Sequence, residues 1–123
     1  VFGNHDSNIR NDTSLLKAFA SVEDYKMVKL PDADAADGYQ RIVLFHYPIT
    51  VWDRAHYGVW HLHGHCHGTL KDDSSSLRLD VGVDAWYVKN IKPYRPIEYS
   101  EIKERMKNKT WKPKDHHGSS YTE

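Results

Sequence analysis

Histidines stand at every second position through His61, His63, His65 and His67, and this run constrains the fold more than any other stretch. It places four of the nine histidines within seven residues. In an extended backbone, residues two apart project to the same side, so the run predicts one face lined by imidazoles. Such a face makes poor core. Neutral imidazole is the commonest protein metal ligand. Gly64 and Gly68 flank the last two histidines and permit sharp turns, which lets those imidazoles converge. The plainer alternative is a His-rich solvated strand or loop.

Two other segments carry similar chemistry. Val1-Phe2 reads as the end of a strand entering Gly3-Asn4-His5-Asp6. There an amide oxygen, an imidazole and a carboxylate stand at consecutive positions, which suits a strand-end loop better than a regular element. A local Asx-type turn would use the same residues. Arg41 to Phe45 is an apolar run that predicts a strand buried on both faces. It ends at His46, and Pro48 biases Tyr47 away from helix and helps end the strand.

The rest of the chain predicts a modest frame. Asp12 or Thr13 caps a short helix over Ser14 to Ala20, with Leu15, Leu16 and Phe19 on one face. Tyr25 to Leu30 reads as a strand, and Pro31 to Gly38 as a solvated loop despite Asp32, Asp34 and Asp37. Trp52, His56, Tyr57 and Trp86 are candidate pocket walls. Leu77 to Val88 reads as a strand interrupted at Gly82, and 87–96 as a linker. Glu98 to Lys109 reads as a helix with Tyr99, Ile102 and Met106 inward and Glu101 paired to Arg105. Residues 1–109 are expected to form the folded portion and 110–123 a disordered tail, with His116 and His117 outside any site. Strands outnumber helices, which favours a mixed α/β layer sandwich.

Composition narrows the function. The 123 residues suffice for one modest domain. Lys+Arg and Asp+Glu both number 17, which gives no electrostatic sign of nucleic acid and does not exclude it. Cys66 is the single cysteine, which fits a reducing compartment and a cytoplasmic location. No apolar run approaches the roughly 20 residues of a membrane helix, so no membrane partner is expected.

Taken in order, Gly3-Asn4-His5-Asp6, His46 after a buried strand, and Gly64-His65-Cys66-His67 resemble the last three motifs of the calcineurin-like metallophosphoesterases. The contexts Leu44-Phe45-His46-Tyr47-Pro48 and Asp80-Val81-Gly82-Val83-Asp84-Ala85-Trp86 look like the small bacterial and phage members. The resemblance spans about Val1 to Arg105. It implies part of a four-layer α/β/β/α sandwich whose N-terminal half is missing. It also implies hydrolysis of phosphate mono- or diesters, nucleotides among the candidate substrates, by metal-activated hydroxide at a site of two divalent ions (Mn, Fe, Zn or Ni). By the resemblance Asn4, His46 and His65 bind one ion and His67 the other. His5 stands near the leaving oxygen as acid or charge stabiliser, and Asp6 supports its loop. His61 and His63 match no family ligand and are expected on the strand behind the site, and Cys66 fills a variable position.

The family's earlier Asp-x-His and Gly-Asp-x-x-Asp motifs have no counterpart here. The chain is therefore expected to be a C-terminal part, inactive or nearly so in isolation. The alternative is a non-catalytic metal-binding module, or an inactive remnant, using His46, His63, His65 and His67.

Overall fold

The computed structural model describes residues 1–85 and 95–114. Its centre is a four-stranded mixed sheet in the order β1-β2-β3-β4. β1 (Tyr25–Pro31) and β2 (Tyr39–Phe45) form an antiparallel hairpin in register from Tyr25 opposite Phe45 to Pro31 opposite Tyr39. β3 (Trp60–His63) runs parallel to β2, and β4 (Arg78–Asp80) parallel to β3. Two short helices, α1 (Ser7–Arg10) and α2 (Thr13–Leu16), precede the sheet, and α3 (Tyr99–Met106) follows it. The class is mixed α/β, with few helices.

The centre of β2 is buried on both faces, as its unbroken apolar run predicts: Ile42 and Val43 point to opposite sides and are both buried. On one side Ile42, Trp60, Leu62 and Leu79 pack beneath Ile102 and Met106 of α3. On the other, Val43 packs with Trp52, Ala55 and Val59, the last three from the connection between β2 and β3. That connection includes a single 3-10 turn, Ala55–Tyr57.

α3 begins with a reciprocal capping box between Glu98 and Glu101, and Glu101 also pairs with Arg95 at 2.6 Å. The Asp-rich turn between β1 and β2 is largely exposed, as expected of a solvated loop, and through Asp32 and Asp34 it also anchors the helix. Asp32 accepts from the Tyr99 hydroxyl at 2.6 Å and from Lys103 Nζ at 2.9 Å, and Asp34 accepts from Lys103 at 2.6 Å. These donors hold the Asp32 carboxyl down at about 2, the Tyr99 hydrogen bond foremost.

Three boundaries depart from the sequence expectation. The helix expected over Ser14 to Ala20 is one turn, capped by Asp12, whose carboxylate accepts from the Ser14 and Leu15 N–H groups. Leu15 and Phe19 stay about half exposed, so no packing supports further turns. Among the described residues of the strand expected over Leu77 to Val88, pairing is confined to Arg78–Asp80, where Asp80 takes the Gly82 N–H at 2.9 Å and turns the chain. The tail is held at least as far as Lys114: Thr110 N–H donates to Ser74 O and Lys112 N–H to Ser75 O, and Trp111 stacks edgewise on Trp52. A disordered tail starting at Thr110 is thereby corrected. Trp86, most of the expected linker, and 115–123 with His116 and His117 lie outside the described residues.

Candidate metal centre

The histidine run does not make one imidazole face. β3 ends at His63, and the loop beyond it turns through left-handed backbone at His65 (φ 66°) and His67 (φ 51°). The period of two survives only for His61 and His63, which lie inside the molecule at 0% and 4% exposure. Their rings lie 5.6 Å apart behind the loop.

His61 is fully bonded there. Its Nδ1 faces Val43 O at 3.2 Å, and its Nε2 lies 3.2 Å from both the Ile49 N–H and Tyr47 O; with Nδ1–H donating to Val43 O, the neutral ring accepts the Ile49 N–H at Nε2. Burial drives its pKa down to about 4, and the neighbouring His63 adds to that. The unfolded chain binds this proton near the ordinary histidine value of about 6.5. Stability is therefore expected to fall as pH drops through 6.5 toward 4, by at most about 1.4 kcal/mol per unit for this group. Urea denaturation at pH 7 and pH 5 checks this: His61→Gln should flatten the pH dependence relative to wild type, and an unchanged slope would refute it.

The exposed half of the run meets the other two motifs. Asn4 Oδ1 lies 2.7 Å from His46 Nε2 and 3.3 Å from His65 Nδ1. The His46 and His65 rings are edge to face at 5.2 Å. Three segments far apart in the chain thus meet at the Asn4 amide oxygen, which a ring nitrogen of each histidine approaches. His46 occupies the position just past β2, and its carbonyl accepts the Gly64 N–H at 3.0 Å, which staples the two histidine loops together. The Asp6 carboxylate accepts the Gly3 N–H at 2.6 Å and closes the first loop. Gly3 leaves room for the His46 ring: a Cβ there would stand 3.2 Å from it, close enough that the ring would have to shift by a few tenths of an ångström. Desolvation and the nearby His65 lower the His46 pKa, favouring the neutral ring that a metal requires.

Among the described residues, the remaining expected ones make no bond to the Asn4 oxygen, while Asp6, His5 and His67 all act on His46 through their charges. His5 Nε2 reaches only to Asn4 Nδ2 at 3.5 Å, and the ring is exposed. His67 turns its Nδ1 to the Asp84 carboxylate in a short bond. His63 spends its Nδ1 on Gly64 O at 2.9 Å and is buried. The four-histidine set His46, His63, His65 and His67 is therefore not assembled. Cys66 is part-buried, and burial pushes its thiol pKa up, away from thiolate. Among the described residues no group of three or more His, Cys, Asp or Glu is arranged to hold a metal ion. The set that meets at Asn4 has two histidines and an amide, and so lies outside such groups. Trp52 fills core rather than lining a pocket, and Tyr57 lies with Tyr39 at the opposite end of β2 from His46.

Two residues escaped the sequence reading. Asp80 accepts the Gly68 N–H at Oδ2 and the Gly82 N–H at Oδ1, both at 2.9 Å, and so joins the loop of His65 and His67 to that of Asp84. Tyr47 packs against both His46 and His65, with ring centroids 5.1 and 4.7 Å away. The Asp80-Val81-Gly82-Val83-Asp84 context carried a faint signal for the first, and nothing pointed to the second.

No family model, curated protein or solved structure matches the chain. No helix among the described residues is long and apolar enough to cross a membrane.

Proposed function

We propose that this chain is part of a metal-dependent phosphoesterase of the calcineurin-like kind, and that Asn4, His46 and His65 hold one of its divalent ions. The observation that carries the reading is the approach of Asn4 Oδ1 to His46 Nε2 and His65 Nδ1, at 2.7 and 3.3 Å. The donor set fits the group. A hard carbonyl oxygen and two imidazole nitrogens suit Mn, Fe, Zn or Ni, and the Asn4 oxygen stands between rings that have few other partners to offer it.

A divalent ion bound there would supply Lewis-acid polarisation of a phosphoryl oxygen. The chain's own residues do the rest. Asp6 and Gly3 fix the loop that carries Asn4 and His5. His5, adjacent to Asn4 and open to solvent, is free to approach a leaving oxygen and give it a proton. Asp84 holds the His67 ring by Nδ1 and leaves Nε2 as its outward nitrogen, the arrangement by which carboxylates orient ligating histidines. Among the described residues, His67 is the donor the reading assigns to a second ion. The other donors, and the remaining layers of the sandwich, belong to the proposal that a phosphoesterase contains this chain as its C-terminal part.

Binding tests the reading without activity. At about 100 times its Kd a single ion stabilises the folded chain by roughly 2.7 kcal/mol, several degrees in Tm or more. Zn or Mn is expected to produce that rise in wild type. His65→Ala is expected to lose affinity by more than the roughly 10–100-fold typical of an outer partner. An equal rise in His65→Ala and wild type would sink the assignment.

A further inference from the structure

We propose that a second binding site lies at the end of β2 opposite the metal centre, and that it takes a small organic dianion with two separated carboxylates. The inference stands apart from the phosphoesterase reading and uses none of the metal donors.

The site is a cavity of about 580 Å³ between the start of β2 and the connection that follows the strand. Small-molecule sites commonly hold about 300–1,000 Å³. One wall is the sheet. Lys29 and Arg41 are direct partners in the antiparallel pair of β1 and β2, and so share a face. Tyr39 lies on the same face, two residues before Arg41, with Lys29 Nζ 4.1 Å from its ring centroid. The other wall is the turn Ala55–Tyr57 with its flanking residues Arg54 and Gly58. Gln40 fastens the walls together, its Nε2 donating to Gly58 O at 3.0 Å.

Three cations stand around the hollow. Arg41 and Arg54 line it, and Lys29 covers the Tyr39 ring that also lines it. Among the described lining residues Asp37 is the single carboxylate, and it pairs with Arg41 at 2.8 Å. Positive charge is left over on both walls. On the sheet, Lys29 and Arg41 are like charges facing each other across the strands, an arrangement that costs stability and that an anion relieves. On the connection, Arg54 differs from its counterparts. Arg10, Arg41, Arg78 and Arg95 each donate to a carboxylate or a carbonyl. Among the described residues the Arg54 guanidinium has no hydrogen bond or ion pair. Its planar fork of donors matches a carboxylate.

The two walls select the ligand. Ala35, Ala36 and Val59 add apolar lining to the cavity. A carboxylate at each end of a short hydrocarbon chain meets a cation on either wall and covers that apolar surface. A monocarboxylate leaves one wall unmatched, and inorganic phosphate brings the charge without the chain.

The test is an NMR titration of the nitrogen-labelled chain, freed of metal on a chelating resin. The probes are straight-chain dicarboxylates from succinate to pimelate, butyrate, and inorganic phosphate. The tightest dicarboxylate is expected to bind at least about tenfold more tightly than butyrate, the gain that one more hydrogen bond between charged groups supplies. It should shift the amides of Tyr39, Arg41 and Arg54 to Gly58. Arg54→Asn removes the fork and keeps a residue that tolerates the left-handed backbone there (φ 57°). It should bring the dicarboxylate down to the affinity of butyrate, and Lys29→Gln should weaken it as well. Melting curves establish that both variants fold. No saturable binding of any dicarboxylate, unchanged affinity in folded Arg54→Asn, or shifts confined to Asn4, His46 and His65 would overturn the site. Inorganic phosphate bound as tightly as the best dicarboxylate would overturn the ligand class.

Discussion

Trp52→Ala is expected to destabilise the fold by about 3–5 kcal/mol, the usual cost of emptying a large aromatic site. That is a large share of the roughly 5–15 kcal/mol that holds a domain of this kind together. Trp52 is 6% exposed and closes the face of the sheet opposite α3. Its indole N–H donates to Val59 O at 2.8 Å, so truncation also strips a buried carbonyl of its partner. Its ring lies 5.3 Å from both His61 and Trp111. Loss of the ring therefore unseats the Thr110–Lys114 segment as well as opening the core. Urea denaturation measures the first effect, and proteolysis near Trp111 the second. A loss below about 1 kcal/mol would mean that Trp52 lines an open pocket, as its aromatic surroundings in the sequence suggested, and that the packing described here is wrong.

Asp80→Ala is expected to cost about 2–4 kcal/mol and to weaken metal binding together with stability. Its two carboxylate oxygens each accept one backbone N–H, from Gly68 and Gly82. Each part-buried N–H left without an acceptor costs about 1–3 kcal/mol. Both loops that Asp80 joins carry site residues, His65 and His67 on one and Asp84 on the other. Freed of the clamp, the left-handed backbone at His65 and His67 has less to hold it against its intrinsic cost, on the order of 1–3 kcal/mol per residue. Metal affinity should then fall by roughly 10–100-fold, as for other outer partners. Asp80→Asn separates the two effects, because one amide oxygen can still accept from one glycine. It should recover part of the stability and less of the affinity. Wild-type metal affinity in a folded Asp80→Ala variant would show that the loop holds its shape unaided.

Local pattern made part of this legible. Arg41 to Phe45 announced a buried strand because its apolar run has no polar interruption, and Ile42 and Val43 are indeed buried on opposite faces. Gly3-Asn4-His5-Asp6, His46 and Gly64-His65 could be singled out because each joins a turn-permitting glycine or proline to side chains that serve chemistry better than core. The same local reasoning misjudged the histidine run. A period of two says that four imidazoles share a face only while the backbone stays extended, and the chain leaves the sheet after His63. Other features exist only through space. Asp32 looked like a loop aspartate because its partners, Tyr99 and Lys103, are 67 and 71 residues away. Tyr47 looked like a strand terminator because its neighbour His65 arrives from another loop. Asp80 sits on β4, and what it does is set by two glycine N–H groups whose positions no periodicity specifies.

The most direct measurement is an anomalous-scattering map from crystals of the chain grown with Mn or Zn. The account predicts a peak bonded to Asn4 Oδ1, His46 and His65, and its disappearance in His46→Ala crystals. A metal bound instead at His67 and Asp84 alone, or no ordered metal at either place, would contradict it.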